Sequence, residues 1–205
     1  MSGALYLMRH GTAAPEGLLL GQADVPLLPE GVAQAERRSR ELSAVTFDLA
    51  FCSPLRRSRQ TAEIVLSGNA ANVSSLTEAP DLREISLGRW EGMDKRSILA
   101  AFPDAWEARG RDMLNTPAPG GESFADLAAR VLPAFAAIRR QTAGRTVLLV
   151  AHQAVNRVIL SHARGLPLAE LFTIPQPPAA LTLLANCERQ CLRRPGRCPG
   201  PRRGK

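Results

Sequence analysis

The sequence predicts an α/β fold: a three-layer sandwich with a mostly parallel central sheet flanked by helices, plus a small helical insertion. Short apolar runs typical of strands alternate along the chain with longer amphipathic runs typical of helices. Three of the strand-like runs end in polar residues, His10, Ser53 and His152, as expected at the carboxyl edge of an open parallel sheet. The 205 residues are enough for one such domain.

The predicted strands are short and are bounded by glycine, proline or polar residues. They cover residues 4–8, 47–52, 72–76, 146–151 and 180–185. The run at 146–151 is the most strand-like, since it is almost wholly apolar between Gly144 and His152. Continuous apolar runs of this kind are typical of parallel strands that are buried on both faces.

The predicted helices begin beside a proline or a capping residue. They cover residues 29–42, 54–66, 94–102, 104–113, 124–141 and 153–164, with a helical turn at 168–172. Ser53 is expected to cap the second helix, with Pro54 at its first position. Ser123 is expected to cap the longest helix, and Pro103 separates the two short helices of the insertion.

Composition favours a globular protein of the cytoplasm. Apolar residues make up 45% of the chain and charged residues 22%, both ordinary values. No window approaches the roughly 18 to 20 apolar residues of a membrane span. The N-terminus also lacks a basic region followed by an apolar run and a cleavage site. We therefore expect a cytoplasmic protein with no membrane partner.

The net charge of +7 is concentrated at the C-terminus. Between Cys187 and Lys205 the chain carries seven arginine or lysine residues against a single acidic residue, Glu188, so the remainder is close to neutral. A run of Arg, Pro and Gly with few large apolar residues cannot bury a core. We therefore expect a domain at 1–186 and a basic, disordered tail at 187–205, with no nucleic-acid partner.

The cysteines do not match a metal site. Cys187, Cys191 and Cys198 share the tail, but they lack a fourth ligand and the paired short spacings of zinc sites. Cys52 lies in an apolar run, which indicates a small buried hydrophobic residue. We expect neither a metal nor another cofactor.

The strand ends predict an anion site. If the strands at 4–8 and 146–151 are parallel neighbours, His10 and His152 lie together at one edge of the sheet. The helix after Ser53 carries three arginines near its N-terminus, which itself attracts anions. These are Arg56, Arg57 and Arg59. A lone histidine is more often structural, and an arginine cluster usually forms a solvated face. Their convergence at three strand ends, however, matches what a phosphate dianion requires.

The sequence resembles members of the histidine phosphatase superfamily, which is also called the phosphoglycerate-mutase-like group. Four motifs carry the resemblance, in chain order, between about residue 4 and residue 185. They are Leu7 to Gly11, which matches an Arg-His-Gly signature; Ser53 to Ala62, which resembles the phosphate-binding helix; Leu82 to Gly92, which matches the acid-bearing loop; and the apolar strand before His152. The resemblance implies a phosphoglycerate-mutase-like fold.

The resemblance also implies catalytic roles. His10 is the expected nucleophile, which attacks phosphorus to give a phosphohistidine. Three further residues are expected to hold the non-bridging oxygens of the phosphoryl group: Arg9, Arg57 and His152. Glu84 is the expected general acid, and then the base that activates water. Glu91 is the confusable alternative, and we interpret it as a residue that braces the loop.

The resemblance further implies a set of substrate-binding residues. They are Gly11, Thr12, Gln22, Ser53 and Gln153. The chain departs from the superfamily at two places, since Glu16 replaces an Asn that helps to bind phosphate, and Gln153 follows His152 where glycine is common. The first departure weakens a mutase interpretation more than a phosphatase interpretation, because a mutase must hold a second phosphoryl group firmly.

We therefore expect a metal-independent phosphomonoesterase that hydrolyses a small phosphorylated metabolite through a phosphohistidine. The stretches Gly21 to Leu27 and Gly120 to Ser123 most resemble α-ribazole phosphatases, which makes α-ribazole 5′-phosphate a candidate substrate. One alternative is a cofactor-dependent phosphoglycerate mutase, and another is a non-catalytic binding module that uses the basic tail. The expected partner is the small-molecule substrate, and the expected state is a monomer or a homodimer.

Overall fold

The computed structural model describes residues 3–68 and 76–185. Its strands are β1 (Ala4–Arg9), β2 (Leu18–Leu19), β3 (Leu49–Cys52), β4 (Leu76–Glu78), β5 (Met93–Asp94), β6 (Val147–Ala151) and β7 (Leu181–Ala185). Its helices are α1 (Pro29–Glu41), α2 (Arg56–Ser67), α3 (Lys95–Ala101), α4 (Pro103–Arg111), α5 (Phe124–Gln141) and α6 (Gln153–Ala163). Short 3₁₀ helices cover Pro80–Leu82, Gly88–Trp90 and Leu168–Thr173.

The main sheet has the strand order β4-β3-β6-β1-β7, and β2 pairs with β5 in a separate two-stranded sheet. β4, β3, β6 and β1 are parallel, whereas the edge strand β7 runs antiparallel to β1. β1 and β6 are neighbours, with Arg9 opposite Ala151. His10 and His152 therefore leave the sheet side by side at its carboxyl edge, which confirms the expected pairing of these two strands.

Helices cover both faces of the sheet, because successive side chains of a strand point to opposite faces. Leu5 and Leu149 face the side that α5 and α6 cover, in the largest buried cluster. Met8 and Val150 face the other side, where α2 packs on β3 and β6 and α1 packs on α2. The insertion of α3 and α4 has a small cluster of its own around Trp90. The predicted three-layer sandwich with a helical insertion is thus confirmed.

The longest helix begins as predicted. The Ser123 hydroxyl accepts a hydrogen bond from the Asp126 N–H at 3.1 Å, and the Asp126 carboxylate accepts one from the Ser123 N–H at 3.0 Å. This reciprocal capping box satisfies donors that the first turn of a helix leaves unpaired. The helix continues through Pro133 to Gln141.

The predicted cap of α2 is wrong. This helix begins at Arg56, so that Ser53 and Pro54 both precede it. The Ser53 side chain is completely buried, bonds to His152 and accepts a hydrogen bond from the Leu55 N–H at 3.3 Å, which lies ahead of the first helical residue. Asp24 supplies the cap from a distant loop, since its Oδ1 accepts a hydrogen bond from the Arg56 N–H at 2.6 Å.

Two sequence predictions lie wholly or mostly outside the described residues. The strand expected at 72–76 falls there except for Leu76, where β4 begins. The tail expected at 187–205, with its three cysteines, falls there entirely.

Candidate active site

His10 is held in one tautomer. It follows the last residue of β1, and its Nδ1 lies 2.6 Å from the carbonyl oxygen of Gly11. A carbonyl oxygen only accepts hydrogen bonds, so Nδ1 carries the proton and Nε2 carries a lone pair. That lone pair accepts a hydrogen bond from Arg57 Nε at 3.2 Å. Burial, followed by the positive charges of Arg57 and Arg9, holds the pKa of His10 well below its ordinary value. The geometry gives a neutral imidazole with a nucleophilic Nε2.

Arg57 joins His10 to a surface loop. It lies in the first turn of α2 and is almost completely buried. Its Nη1 donates to the Ala23 carbonyl and its Nη2 to the Gly21 carbonyl, each at 2.7 Å. With the bond to His10, these contacts use three of the five N–H groups of a guanidinium. Two N–H groups of Arg57 therefore remain for an anion in the cavity that this residue lines.

Arg9 adds a second, half-buried cation. Its Nη1 donates to the backbone carbonyl of Gln176, on the segment that leads to β7. Its Nε is buried and has no hydrogen-bond partner among the described residues. Burial lowers the pKa of Arg9, while the nearby Glu84 carboxylate opposes this effect. A buried cationic donor is costly without an acceptor, so this position favours an anionic ligand.

His152 lies next to His10. Its ring centroid lies 5.0 Å from that of His10, and its Nε2 shares a hydrogen bond of 2.7 Å with Ser53 Oγ. Its Nδ1 is buried without a partner in the part of the chain that the structure describes. Burial, followed by the charges of His10, Arg57 and Arg9, holds the pKa of His152 well below its ordinary value. The second histidine is thus also neutral.

Glu84 is the carboxylate of this group. Its Oε2 accepts a hydrogen bond from the Ala154 N–H in the first turn of α6 at 3.3 Å. Its Oε1 accepts one from the Ile85 N–H at 2.9 Å. The side chain is half-buried and lines the same cavity as His10, Arg9 and Arg57. The four motifs singled out in the sequence therefore meet at one place.

Glu91 has a different environment. Its Oε1 accepts hydrogen bonds from the backbone N–H groups of Gln22 and Leu87, at 3.0 and 3.1 Å, and from Ser86 Oγ at 3.4 Å. All three donors belong to loops around the site. These contacts match the interpretation that Glu91 braces the acid-bearing loop.

The predicted substrate-binding residues divide into two groups. Thr12 and Gln153 line the cavity. Gly11, Gln22 and Ser53 instead contact the catalytic frame, since Gly11 accepts from His10, Gln22 Nε2 donates to the Glu84 carbonyl at 3.0 Å, and Ser53 bonds to His152. A direct contact between any of the five and the substrate stays a prediction.

Sequence reasoning missed two arginines of the cavity. Arg157 lies on α6 one turn after Gln153 and donates from Nε to the Ile174 carbonyl at 2.9 Å. The four-residue spacing from Gln153, which places both on one helix face, could have revealed it. Arg109 of α4 is buried, with its guanidinium carbon 5.9 Å from the ring centroids of both Trp90 and Phe124. No local pattern in the sequence indicates that contact.

The cavity has a volume of about 900 Å³ and a mixed lining. Its polar lining includes the groups around His10 together with Glu16, Glu30 and Arg109, and much of the remaining wall is apolar. That wall includes Leu18, Leu28, Trp106, Met113 and Phe124. Among the described residues, five large apolar side chains are exposed, and three of them, Leu18, Leu28 and Met113, belong to this wall. Exposed apolar surface is therefore concentrated where a ligand would enter.

The described residues contain neither a cluster of metal ligands nor a membrane-spanning helix. Within residues 3–68 and 76–185, no three His, Cys, Asp or Glu side chains are grouped as a metal ion would require. No helix in this part of the chain is long and apolar enough to cross a membrane. Cys52 is buried as expected, and burial raises the pKa of its thiol to about 12.

The model of the histidine phosphatase superfamily (branch 1) matches residues 5–192. The chain belongs to this superfamily. It is 32% identical over 165 residues to an adenosylcobalamin/alpha-ribazole phosphatase of Escherichia coli, covering 80% of each chain. It is 30% identical over 188 residues to a 2,3-bisphosphoglycerate-dependent phosphoglycerate mutase of Rhizobium etli, covering 87% of this chain and 88% of the relative.

Solved structures agree with this assignment. The alpha-ribazole phosphatase of Shigella flexneri superimposes with a TM-score of 0.81 at 27% identity, covering 88% of this chain and 89% of that one. The predicted phosphoglycerate-mutase-like fold and the predicted class, a phosphoric monoester hydrolase of the histidine phosphatase superfamily, are confirmed. The names of the relatives include both phosphatases and mutases, so the substrate is a separate question.

Proposed function

We propose that the protein is a metal-independent phosphomonoesterase that forms a phosphohistidine on His10. The observation that carries the proposal is the fixed tautomer of His10, whose unprotonated Nε2 lies near the buried Arg57, the half-buried Arg9 and a second neutral histidine. A lone pair held at that position by the Gly11 carbonyl suits attack on an electrophilic phosphorus. The surrounding cations suit the charge of the phosphoryl oxygens.

In the first step, His10 Nε2 attacks phosphorus while the bond between phosphorus and the ester oxygen breaks. Glu84 donates its proton to the leaving oxygen, which departs as an alcohol. Arg9, Arg57 and His152 hold the three non-bridging oxygens and offset their charge in the transition state. The products of this step are a phosphohistidine and a Glu84 carboxylate.

In the second step, the Glu84 carboxylate removes a proton from water, and the water oxygen attacks phosphorus. The bond between phosphorus and His10 Nε2 breaks, and inorganic phosphate leaves. Glu84 regains its proton and His10 its lone pair, so the cycle closes without another reactant. The same three groups stabilise the second transition state, because the phosphoryl group moves little between the two displacements.

The size and lining of the cavity favour a substrate whose alcohol portion is bulky. The leading candidate is α-ribazole 5′-phosphate. A volume of about 900 Å³ is within the range of sites for drug-sized ligands and far exceeds the need of a three-carbon acid. The apolar wall with Trp106 and Phe124 suits a flat, weakly polar group. The E. coli relative at 32% identity carries the name adenosylcobalamin/alpha-ribazole phosphatase, which agrees with this choice.

Phosphoglycerate mutase is the second candidate, since the R. etli relative carries that name. A mutase holds a second phosphoryl group in its site. Glu16 occupies the position where members of the superfamily carry an Asn that helps to bind phosphate, and its carboxylate would repel a phosphoryl group there. Arg109 and Arg157 also line the cavity, so the assay for interconversion of phosphoglycerates, rather than the charge of the lining, separates the two candidates.

The deciding experiment assays a panel of phosphomonoesters with a metal chelator present. The panel contains α-ribazole 5′-phosphate, ribose 5-phosphate and 3-phosphoglycerate, and both phosphate release and interconversion of 2- and 3-phosphoglycerate are measured. We expect chelator-resistant hydrolysis that favours α-ribazole 5′-phosphate, no interconversion, and no activity in His10→Ala. Full activity in His10→Ala would refute the mechanism, and loss of activity with the chelator would refute metal independence.

A further inference from the structure

Arg130 of α5 holds the backbone of the acid-bearing loop. Its Nη1 donates to the carbonyls of Asp81 and Arg83, at 2.7 and 2.9 Å, and its Nη2 donates to the carbonyl of Glu84 at 2.9 Å. One guanidinium therefore fixes three carbonyls within a four-residue segment that ends at Glu84. Glu122 occupies the remaining side of the fork, accepting from Nε and Nη2 at 2.7 and 2.8 Å.

Glu122 connects Arg130 to the part of the loop that follows Glu84. Its Oε2 also accepts a hydrogen bond from the Ser86 N–H at 2.8 Å, two residues beyond Glu84. Burial alone would raise the pKa of Glu122, but hydrogen bonds from Arg130 and the Ser86 N–H outweigh it and hold that pKa below its ordinary value. Arg130 and Glu122 therefore form a bidentate ion pair. Such a pair is stronger and more directional than an ion pair with a single hydrogen bond.

The main chain of Glu84 is thus fixed from both directions. Its carbonyl oxygen accepts two hydrogen bonds, from Arg130 Nη2 at 2.9 Å and from Gln22 Nε2 at 3.0 Å, which together use both lone pairs. The Arg130–Glu122 pair binds the residues before and after it. Neither Arg130 nor Glu122 lines the cavity, so the pair does not contact the substrate, and its hydrogen bonds act on the segment that carries Glu84. The Arg130 charge also acts on His152, and Arg130→Lys keeps that charge.

We infer that Arg130 and Glu122 are positioning residues that set the place of the Glu84 carboxyl group relative to the leaving oxygen. The inference rests on the proposed role of Glu84 as general acid. A loop held only at its ends would let the carboxyl group drift, and a displacement of about 1 Å can cost about 100-fold in rate. The arginine fork removes this freedom without touching the substrate.

Leaving-group chemistry separates positioning from a merely structural role. A p-nitrophenolate leaves without help from an acid, whereas a p-nitrobenzyl alkoxide of nearly the same shape needs a proton. We therefore measure phosphoenzyme formation in single turnovers by rapid quench, with p-nitrophenyl phosphate and p-nitrobenzyl phosphate. The variants are Arg130→Lys and Glu122→Gln, with Glu84→Gln as the reference. The matched control is Arg140→Lys, at an exposed position of the same helix.

We expect Arg130→Lys and Glu122→Gln to slow phosphoryl transfer from the benzyl ester by about 10- to 100-fold, since general acids contribute about 10²- to 10⁴-fold. The phenyl ester should change by less than about threefold, and Arg140→Lys should match the wild type on both. Equal losses on the two esters, or no loss on either, would overturn the inference. If Arg130→Lys lowers the yield of folded protein, Glu122→Gln still tests the inference. The glutamine keeps an acceptor oxygen but removes the negative charge.

The same assay distinguishes failure of the proposed function. If Glu84→Gln loses activity on the benzyl ester alone while the Arg130 and Glu122 variants match the wild type, Glu84 is the acid and the positioning inference is wrong. If wild-type protein forms no phosphoenzyme on His10 with either ester, the proposed function itself is wrong, and the inference falls with it.

Discussion

The two neutral histidines of the site make the stability of the empty protein depend on pH. Burial, followed by neighbouring positive charges, holds the pKa values of His10 and His152 well below their ordinary value in the folded state. In the unfolded chain each histidine titrates near about 6.5. Below that pH the unfolded state binds more protons than the folded state, so stability is complete at higher pH and falls as the pH drops.

The magnitude follows from the unfolded pKa. Between about pH 7.5 and about pH 5.5, each unfolded histidine passes from one unit above its pKa to one unit below it, which favours unfolding by about 1.4 kcal/mol. For two histidines that stay neutral in the folded state, the free energy of unfolding should fall by about 2.7 kcal/mol. Carboxylates contribute little in this window, because their ordinary pKa values lie below it.

The assay is urea unfolding at the two pH values, in buffers that contain no phosphate, since a bound anion would favour the protonated histidines. His10→Asn and His152→Asn should each remove about half of the pH-dependent change, whatever their effect on absolute stability. His162→Asn, which replaces an exposed histidine at the end of α6, is the control. A wild-type change below about 0.5 kcal/mol, or equal changes in all four proteins, would refute the reasoning.

Three further predictions test other parts of the site. Glu84→Gln should lower kcat for alkyl phosphates by about 10²- to 10⁴-fold, because it removes the general acid. Glu91→Gln keeps an acceptor oxygen and should lower the melting temperature while kcat stays close to that of the wild type. A larger loss of kcat in Glu91→Gln than in Glu84→Gln would exchange the two roles. Gly11→Ala should destabilise the fold by about 1 to 3 kcal/mol, because a Cβ there would lie 2.4 Å from the Gly31 carbonyl, and normal stability would contradict that close approach. Asp24→Ala should cost about 1 kcal/mol in urea unfolding, because it removes the cap of α2, and an unchanged midpoint would count against the cap.

Local patterns in the sequence were sufficient to predict the sheet and the position of the site. Apolar runs ending in His10 and His152 identified two strands and their shared edge, and the register of β1 and β6 agrees with that prediction. The arginines after Ser53 predicted a cationic group at this edge, and the resemblance singled out Arg57, which lines the cavity. These signals lie within a few residues of each other, where periodicity and capping preferences operate.

Contacts between distant segments could not be predicted in this way. The cap of α2 joins Asp24 to a backbone group 32 residues away, and Arg130 reaches the Glu84 carbonyl across 46 residues. Neither contact has a periodic or spacing signature. The contacts of Gly21, Ala23 and Asp24 with Arg56 and Arg57 of α2 likewise join segments more than 30 residues apart.

Arg57 and Arg130 hold the neighbouring loops by donating hydrogen bonds to backbone carbonyls. This kind of contact bears on how members of the superfamily diverge in sequence. Every amino acid carries a carbonyl, so at Ala23, Asp81 and Arg83 a substitution can replace the side chain while the hydrogen bond to the carbonyl persists. Gly21 is the exception, because its φ is +52° and a Cβ there would lie 2.7 Å from Glu91 Oε1. Changes of side chain in these loops therefore need not move Arg57 or Glu84. An ancestral scaffold of this kind can explore new phosphate esters one residue at a time, which fits a superfamily whose members bear the names of both phosphatases and mutases.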